Sequence, residues 1–390
     1  MKRVQLRPAL TKLLCAGVAV LSMTAAAGAM EDESAAVAEA GLAPLVKRLR
    51  EEKKLVGLAA MVMVDGKVVD QAADGERKQG SGVLVTTSDR WHLGSITKSI
   101  TSTLIGRLVE AGKLDWDTTI GDALAGQPIH DDWRGVTLTQ LLTHTAGAPA
   151  NFPMLVKLKN PAEGQPRVDA RREAVLGVIA KPPLTPPGEA FAYSNVGYTI
   201  AGVMAEQATG KPWEDLVRQE VFAPLKLDQA GFGPPKSPAK GYDQPRGHVT
   251  RLGFKVAMGD DADNTPIMGP AGTACMTLDE LCCYANEHLR GEQGGGKLLS
   301  AETYRRLHEP ALDDYACGWV ARAEADGVPA CRWHNGSNTM WYAFVAFIPT
   351  NNMVVAITAN DGDIRAAEDA ALQVLKASQS LAPASKTSQP

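Results

Sequence analysis

The sequence predicts an α+β protein, in which both ends of the chain form one antiparallel sheet and a mostly helical lobe is inserted between them. Residues 56–73 contain an apolar run, Asp65-Gly66, and a second extended run, a pattern typical of a β-hairpin with a two-residue turn. Residues 341–358 repeat this strand–turn–strand pattern, and a helix from about Ile364 to Leu375 follows. With another helix around 34–54, these elements favour a three-layer α-β-α lobe.

The first 29 residues have the features of a secretory signal peptide. Four basic residues precede or flank the apolar run 13–23, and Ala27-Gly28-Ala29 matches the small-residue cleavage pattern. No later stretch approaches the roughly 18 consecutive apolar residues that a membrane-spanning helix needs. We therefore expect a periplasmic or secreted protein with no stable membrane anchor.

Charge and length narrow the class of protein further. Without the signal peptide the chain has 36 basic and 44 acidic residues, so no basic surface for nucleic acid is predicted. We interpret 30–375 as one catalytic domain with an α/β lobe at about 34–90 and 267–375 and a helical lobe at about 95–266. The small, polar segment 376–390 is predicted to be a disordered tail.

The inserted lobe combines predicted helices with two long segments of low periodicity. The segments 151–169 and 236–266 are rich in Pro, Gly and charge, and loops of that length are usually functional rims or mobile insertions. They are expected to shape the pocket. The predicted helices are 137–142, 171–179, 194–207 and 212–221.

Five cysteines remain after removal of the signal peptide, so at least one is unpaired. Their low density argues against a disulfide scaffold. Cys317 with Cys331 is the predicted bridge, while Cys282-Cys283 on a helix is interpreted as core packing. No Cys or His spacing supports a metal site, and no cofactor is expected.

The stretch 91–113 contains a predicted helix that opens with a candidate nucleophile, Ser95. Ile96, Ile100 and Leu104 recur every four residues and define an apolar face, while Lys98 lies off it. Ser95 is at the helix start, and its i to i+3 spacing to Lys98 lets the amine reach the hydroxyl. Burial of Lys98 would lower its pKa and allow the amine to act as a base.

A second motif, Tyr193-Ser194-Asn195, precedes another predicted helix, for which Ser194 is a suitable N-cap. Residues two apart in an extended approach point the same way, so Tyr193 and Asn195 converge on one site. The phenol can pass a proton and the amide can orient a substrate or a lysine. The alternative is a tyrosine that serves only as a buried anchor.

A third motif, His334-Asn335-Gly336-Ser337, leads into the strand that starts near Trp341. On a strand, His334 and Gly336 share one face. Gly336 leaves room for a substrate to lie against the backbone, and His334 offers a donor or a partial positive charge. A structural histidine is the alternative reading.

With these motifs the chain resembles the serine β-lactamase-related and penicillin-binding-protein superfamily, nearest its class C β-lactamase, D-aminopeptidase and esterase branches. The three family motifs match Ser95-x-x-Lys98, Tyr193-x-Asn195 and His334-x-Gly336 in order, and the similarity covers roughly residues 35–375. Further matching segments are 141–147, 187–188, 269–272 and 318–319. The expected fold is therefore of the β-lactamase/transpeptidase type.

The resemblance implies roles for the motif residues. Ser95 would form an acyl-enzyme, and Lys98 and Tyr193 would share general-base and general-acid work, with the acylation base left open. Asn195 would bind the substrate amide and hold Lys98. The backbone N–H groups of Ser95 and Ser337 would form the oxyanion hole. His144, in another matching segment, is interpreted as a structural contact.

His334 departs from the lysine that many β-lactamases carry at the start of the third motif. Histidine is mostly neutral near pH 7, so recognition of a substrate carboxylate would be weaker. The expected function is therefore an exported serine hydrolase acting on a D-amino-acid peptide, an ester or a β-lactam-like substrate. A penicillin-binding sensor without turnover and a dedicated class C-like β-lactamase are the alternatives. The expected partner is a small molecule or peptide, and the sequence leaves the oligomeric state open.

Overall fold

The six-stranded antiparallel sheet is built from both ends of the chain, as predicted. The computed structural model describes residues 36–236, 243–325 and 327–382, so the predicted signal peptide lies outside the described residues. The strands are β1 Gly57–Val64, β2 Lys67–Gly75, β3 Arg90–His92, β4 Gly231–Phe232, β5 His248–Arg251, β6 Phe254–Ala257, β7 Ala274–Thr277, β8 Val320–Arg322, β9 Cys331–Ser337, β10 Tyr342–Ile348 and β11 Met353–Ala359.

Helices form most of the middle of the chain and cover the sheet. The α-helices are α1 Leu42–Glu52, α2 Thr97–Glu110, α3 Ile120–Ala123, α4 Asp131–Arg134, α5 Leu138–Leu142, α6 Met154–Lys157, α7 Gln165–Ile179, α8 Asn195–Thr209, α9 Trp213–Val217, α10 Ala223–Leu225, α11 Gly269–Gly272, α12 Leu278–Glu292, α13 Ala301–His308 and α14 Ile364–Ala377. Short 3₁₀ turns lie at Gly94–Ile96, Pro266–Met268, Pro349–Asn351 and Ser378–Leu381, and a π-helical turn at Arg218–Phe222.

The strand order β2-β1-β11-β10-β9-β8 places the last strands of the chain against the first hairpin. The hairpin turn at Asp65 and Gly66 has φ values of 51° and 74°, the left-handed values that a two-residue turn requires. β1 pairs with β11 over Leu58 to Val64. The central strands are therefore joined by pairing between residues nearly 300 positions apart.

The three central strands β1, β11 and β10 are buried on both faces of the sheet. In β1, Leu58, Ala60 and Val62 face α1 and α14, whereas Ala59 and Met61 face the core that includes α2 and α12. Strands covered on both sides read as continuous apolar runs, as β1 does. The predicted three-layer arrangement is confirmed.

A small second sheet lies where the chain crosses between the two lobes. It has the order β3-β7-β4, and β3 leads directly to the turn that contains Ser95. The sequence prediction missed this sheet because its strands are only two to four residues long.

The two long segments contain more structure than predicted. α6 lies within 151–169, and α7 begins at Gln165, six residues before the predicted start. β5 and β6 form a separate hairpin within 236–266, with Leu252 and Gly253 as its two-residue turn. Its alternation is too short to stand out among the surrounding Pro, Gly and charged residues.

The predicted tail starts too early. α14 extends to Ala377, and a 3₁₀ turn follows at Ser378–Leu381, because Val374, Leu375 and Ala377 are buried against the sheet. Residues 383–390 lie outside the described residues.

The predicted Cys317–Cys331 bridge is wrong. All five cysteines of the described residues are unpaired. Cys317 is buried in the core that includes α2, whereas Cys331 is buried in the core on the other face of the sheet. Two thiols on opposite faces of a sheet cannot reach the short separation that a disulfide requires. Within 36–236, 243–325 and 327–382, no helix is both long and apolar enough to cross a bilayer.

Candidate active site

Ser95 lies in the 3₁₀ turn Gly94–Ile96, immediately before α2. Gly94 has a φ of +51°, and a Cβ there would lie 2.3 Å from the backbone nitrogen of Ser337. Glycine is therefore required both by the backbone conformation and by the close approach of β9. The turn leaves Ser95 half-buried, while its neighbours Gly94 and Ile96 are buried.

Helix α2 is buried more completely than its apolar stripe predicts. Lys98 lies off that stripe, as do Ser99 and Thr103, yet each of the three residues has 0% exposure. These polar residues are buried because the helix is surrounded by other elements and each side chain finds a hydrogen-bond partner.

The Lys98 amine has three polar neighbours. Its Nζ lies 3.1 Å from Ser95 Oγ, 2.7 Å from Asn195 Oδ1 and 2.8 Å from the carbonyl oxygen of Ala271. The two sp² oxygens can only accept, so two N–H groups of Lys98 point at them. The third tetrahedral position of the nitrogen then faces the Ser95 hydroxyl, as a proton in the ammonium and as a lone pair in the neutral amine.

Burial favours the neutral amine. It lowers the pKa of Lys98 well below its usual value because a charged group loses its hydration in the interior. The part of the chain that the structure describes shows no ion pair between Lys98 and a carboxylate. The prediction that Lys98 is buried with a lowered pKa is confirmed.

Tyr193 approaches the same serine from α8's side of the cleft. Its ring centroid is 4.7 Å from Lys98 Nζ. Burial raises the pKa of Tyr193, and this effect outweighs the opposing influence of the Ser95 side chain. The phenol therefore stays protonated near neutral pH.

Ser194 caps α8 as predicted, and this cap sets the direction of its two neighbours. Ser194 Oγ accepts a hydrogen bond from the backbone N–H of Gly197 at 2.9 Å. Asn195 then directs Oδ1 to Lys98 and donates from Nδ2 to Asn151 Oδ1 at 2.8 Å. Asn195 thus links the amine to the segment predicted to form a rim.

β9 lies directly against the Ser95 turn. A Cβ on Gly336 would lie 2.1 Å from the carbonyl oxygen of Leu93 and 2.4 Å from the backbone nitrogen of Ser95. The small size of Gly336 therefore serves contact with the catalytic turn, whereas the sequence suggested room for a substrate. The backbone nitrogens of Ser95 and Ser337 are brought to the same edge of the site.

His334 lies on the face of β9 predicted for it but turns inward, with 2% exposure. Its Nδ1 donates to the carbonyl of Asn335, and its Nε2 accepts from the Tyr315 hydroxyl at 3.1 Å. Burial, aided by the charge of Lys98, lowers the pKa of His334 to about 3. The neutral ring predicted from the sequence is confirmed.

His144 is a structural contact beside the site, as predicted. Its Nδ1 accepts the backbone N–H of Ser194 at 3.1 Å, and its ring lies 4.3 Å from that of Tyr193. Because Nδ1 accepts, the proton of the neutral ring is on Nε2. His144 therefore supports both the cap of α8 and the Tyr193 ring.

Sequence reasoning missed three residues of the site. Tyr315 lies between the rings of His144 and His334, and Asn151 and Ala271 hold Asn195 and Lys98. Ala271 acts through its backbone carbonyl, and Asn151 acts through its side-chain amide in a loop. No residue pattern in the sequence reveals either role. Tyr315 precedes Gly318-Trp319 by three residues, and that proximity is the one signal that could have identified it.

Gly318 explains why this neighbouring segment is close to the catalytic helix. With φ +77°, its Cβ would lie 2.5 Å from the Cα of Ser99. The chain from Tyr315 to Trp319 is therefore pressed against α2. Among the described residues, no cluster of three or more His, Cys, Asp or Glu side chains is arranged to hold a metal ion.

Comparison with known proteins agrees with this geometry. The family model described as Beta-lactamase matches residues 42–379. Penicillin-binding protein 4 of Amycolatopsis lactamdurans is 30% identical over 340 residues, which cover 80% of this chain and 83% of that protein. A putative D-alanyl-D-alanine carboxypeptidase of Escherichia coli (strain K12) is 24% identical and covers 77% of each chain.

A solved structure shares the fold. The crystal structure of SurE aligns with a TM-score of 0.71 at 24% identity, over 93% of this chain and 79% of SurE. The family match spans both lobes and all three motifs. The chain therefore belongs to the β-lactamase family, within the superfamily of serine β-lactamases and penicillin-binding proteins, and is a serine hydrolase that acts on amides or esters.

Proposed function

We propose that this chain is an exported hydrolase that cleaves a neutral amide or ester through an acyl-enzyme on Ser95. The observation that carries the proposal is the Lys98 amine, which is buried without a counter-ion in the described residues and lies 3.1 Å from Ser95 Oγ. An amine with a lowered pKa next to a hydroxyl is the arrangement that activates a serine nucleophile.

Acylation begins when Ser95 Oγ attacks the substrate carbonyl carbon. The hydroxyl proton passes to the lone pair of Lys98 as the C–O bond forms, and the carbonyl oxygen becomes an oxyanion. The backbone N–H groups of Ser95 and Ser337 stabilise that charge. When the tetrahedral intermediate collapses, the bond to the leaving group breaks and a proton reaches its nitrogen or oxygen.

We assign the base role to Lys98 and the acid role to Tyr193. The pKa shifts support this assignment, since burial disfavours both the ammonium of Lys98 and the phenolate of Tyr193. Tyr193 donates its proton to the leaving group and is reprotonated by the Lys98 ammonium, which restores the neutral amine. Water then attacks the ester carbonyl and gives its proton to Lys98, and Lys98 returns that proton to Ser95 Oγ as the ester bond breaks.

Preference for a neutral substrate follows from His334. The ring is neutral, and both of its nitrogens are already hydrogen bonded, so the start of the third motif supplies no cation for a carboxylate. The similarity to penicillin-binding protein 4 and to the putative carboxypeptidase keeps β-lactams and D-amino-acid amides among the candidates. The second candidate is accordingly a penicillin-binding protein that acylates without turnover.

Export is part of the proposal and rests on residues 1–29. Their basic start, apolar run and Ala27-Gly28-Ala29 site support cleavage after Ala29. Expression of the full chain with a C-terminal tag in a bacterial host, followed by N-terminal sequencing of the periplasmic fraction, tests it. A mature protein that still begins at Met1 in the cytoplasm would contradict export.

The acyl-enzyme is tested by labelling. A fluorophosphonate and a fluorescent penicillin are incubated with the wild type and with Ser95→Ala, and the adduct is located by peptide mass spectrometry. We expect the fluorophosphonate on Ser95 and no adduct on the variant. Label on another residue, or label that survives Ser95→Ala, would sink the proposal.

A substrate panel then separates the candidates. The kcat/KM values for p-nitrophenyl acetate, D-alanine p-nitroanilide and nitrocefin are compared under one set of conditions. The proposal expects the ester and the amide to exceed nitrocefin by at least about tenfold. Labelling of Ser95 without turnover of any of the three would favour the penicillin-binding alternative.

A further inference from the structure

A chain of buried polar side chains lies behind α2, on the side away from the cleft. It comprises Tyr284, His288 and His308, which come from α12 and α13, together with Thr103 of α2. None of the four is more than 2% exposed. Buried polar groups of this kind are costly unless each finds a partner, so their arrangement is constrained.

The chain runs through short contacts from α2 to the protein surface. Thr103 Oγ1 lies 2.9 Å from the Tyr284 hydroxyl and 3.0 Å from His288 Nε2. His288 Nδ1 lies 2.9 Å from His308 Nε2, and His308 Nδ1 lies 3.0 Å from Glu292 Oε2. Glu292 is partly exposed and also contacts Arg332 at 3.1 Å.

The charge of Glu292 determines the direction in which hydrogen bonds are donated along these buried side chains. Burial alone would raise the pKa of Glu292, but His308 and Arg332 hold it below its usual value, so the carboxylate is ionised and only accepts. His308 Nδ1 and Glu292 Oε2 lie 3.0 Å apart without the alignment of a hydrogen bond. A lone pair on Nδ1 would still be repelled by this anion, so we assign the proton to Nδ1.

The remaining protons follow from the neutrality of the rings. Burial lowers the pKa of His288 and of His308, so each ring carries one proton. His308 Nε2 must then accept from His288 Nδ1–H, and His288 Nε2 accepts from the Thr103 hydroxyl. Both rings therefore carry their proton on Nδ1. In the opposite order both rings carry their proton on Nε2, and the single proton of the Thr103 hydroxyl is donated to the carbonyl of Ser99, 2.9 Å away.

The series of buried polar side chains reaches the residue next to the catalytic lysine. The Tyr284 hydroxyl lies 3.2 Å from Ser99 Oγ, and Ser99 follows Lys98 on α2. Rotation or sliding of α2 would break these buried contacts and would also change the distance from Lys98 Nζ to Ser95 Oγ. The same contacts therefore couple α12 and α13 to the catalytic pair.

We propose that His288 and His308 are positioning residues for the Ser95–Lys98 pair, ordered by the charge of Glu292. The inference rests on the proposed acylation of Ser95, and it adds residues that none of the three motifs contains. It concerns the placement of Lys98, so it affects the rate of acylation more than the binding of substrate.

The direction of the chain is tested without any activity assay. The protein is labelled with ¹⁵N-histidine, and long-range ¹H–¹⁵N correlation spectra report which ring nitrogen carries the proton. We expect Nδ1–H for both His288 and His308 in the wild type. In Glu292→Gln the side-chain amide can donate, and we expect at least one ring to change to Nε2–H. A wild type with Nε2–H on both rings would overturn the direction.

The positioning role is tested by a matched pair of substitutions. His288→Phe keeps a ring but removes both hydrogen bonds, whereas His288→Gln retains a donor and an acceptor. With p-nitrophenyl acetate we expect kcat to fall at least about tenfold in His288→Phe with KM within about threefold, and to recover most of that loss in His288→Gln. Val374→Ala, in the core on the other face of the sheet, controls for lost stability.

Other outcomes count against the role. A His288→Phe variant with wild-type kcat, or a His288→Gln variant as impaired as His288→Phe, overturns it. If His288→Phe does not fold, His308→Gln and the tautomer spectra of the wild type decide. If the fluorophosphonate still labels Ser95 in the wild type, the proposed acyl-enzyme stands and only the positioning role of the histidines is contradicted.

Discussion

The floor of the cleft and its rims are built in opposite ways. On the floor, Lys98 is fully buried and each of its three polar contacts comes from a different element. In the segments predicted to form the rims, Leu252 is 98% exposed and Phe254 is 73% exposed, both on the β5–β6 hairpin. Buried contacts thus fix the side chains of the floor in one geometry, whereas apolar side chains of the predicted rims are exposed and can contact other molecules.

Each of these segments is nevertheless held in place by polar contacts. Asn151 lies close in sequence to the exposed Met154 and Leu155. Its Oδ1 accepts a hydrogen bond from Asn195 Nδ2, and through Asn195 it is linked to Lys98. The β5–β6 hairpin is anchored where the backbone N–H of His248 donates to the carbonyl of Met340 at 3.0 Å. The difference suggests that buried contacts set the reaction and exposed ones set the choice of substrate. The following variants test that division.

The largest expected effect is on the floor, at Lys98. Lys98→Met keeps the length of the side chain but removes the lone pair that takes the Ser95 proton. We expect kcat/KM for p-nitrophenyl acetate to fall by about a thousandfold or more. Steady-state kinetics check this, with circular dichroism as the control for folding. A residual activity above a tenth of wild type would exclude Lys98 as the base.

Tyr193→Phe tests the acid on the floor. The ring and its contact with His144 are kept, so only the proton donor is lost. We expect kcat to fall by about a hundredfold for an amide and less for p-nitrophenyl acetate, whose leaving group needs no proton. An equal loss on both substrates would assign Tyr193 a different role.

The pH dependence follows from the lowered pKa of Lys98. The neutral amine is the active form, so kcat/KM should decrease as pH falls through the folded-state pKa of Lys98, which burial holds well below the usual value for a lysine. In the unfolded chain Lys98 binds a proton more readily, so this group makes folding more favourable as pH rises from the folded pKa towards the unfolded one. A profile of kcat/KM between pH 5 and pH 10 measures where activity falls on the acid side. A fall that begins near pH 10 would refute the assignment of Lys98 as the base.

His334→Lys tests whether the floor tolerates a cation at the third motif. A second ammonium would be buried beside Lys98 and would lose the bond to Tyr315, so we expect a lower melting temperature and no gain in nitrocefin hydrolysis. His334→Gln, which retains an acceptor, is the matched control. A gain in nitrocefin turnover would favour the dedicated β-lactamase.

The smallest expected effect is on the rims. Leu252→Ser combined with Phe254→Ser should lower kcat/KM for p-nitrophenyl octanoate by about five- to tenfold and leave the acetate within twofold. Leu84→Ser, which changes another exposed leucine, is the control. Equal losses on both esters would mean that the hairpin supports the floor instead of selecting substrates.

The sequence predicted the floor better than the rims, for physical reasons. Lys98, Tyr193 and Asn195 follow a helix period or a helix cap, which are local rules that the sequence displays directly. The β5–β6 hairpin was missed because each of its strands has only four residues, and so short an alternation does not stand out in the sequence. Ala271 was missed because a backbone carbonyl carries no mark in the sequence, and the burial of Thr103 depends on helices nearly 200 residues further along the chain.

The close approaches at Gly336 and Gly318 have a consequence for motion. They press backbone from the sheet lobe against both sides of the start of α2, at the Ser95 turn and at Ser99. Backbone atoms in such contact cannot slide past one another without a steric clash, so the start of α2 is held in register with β9 and with Gly318. We therefore expect high backbone order parameters throughout α2 and lower values in the exposed β5–β6 hairpin.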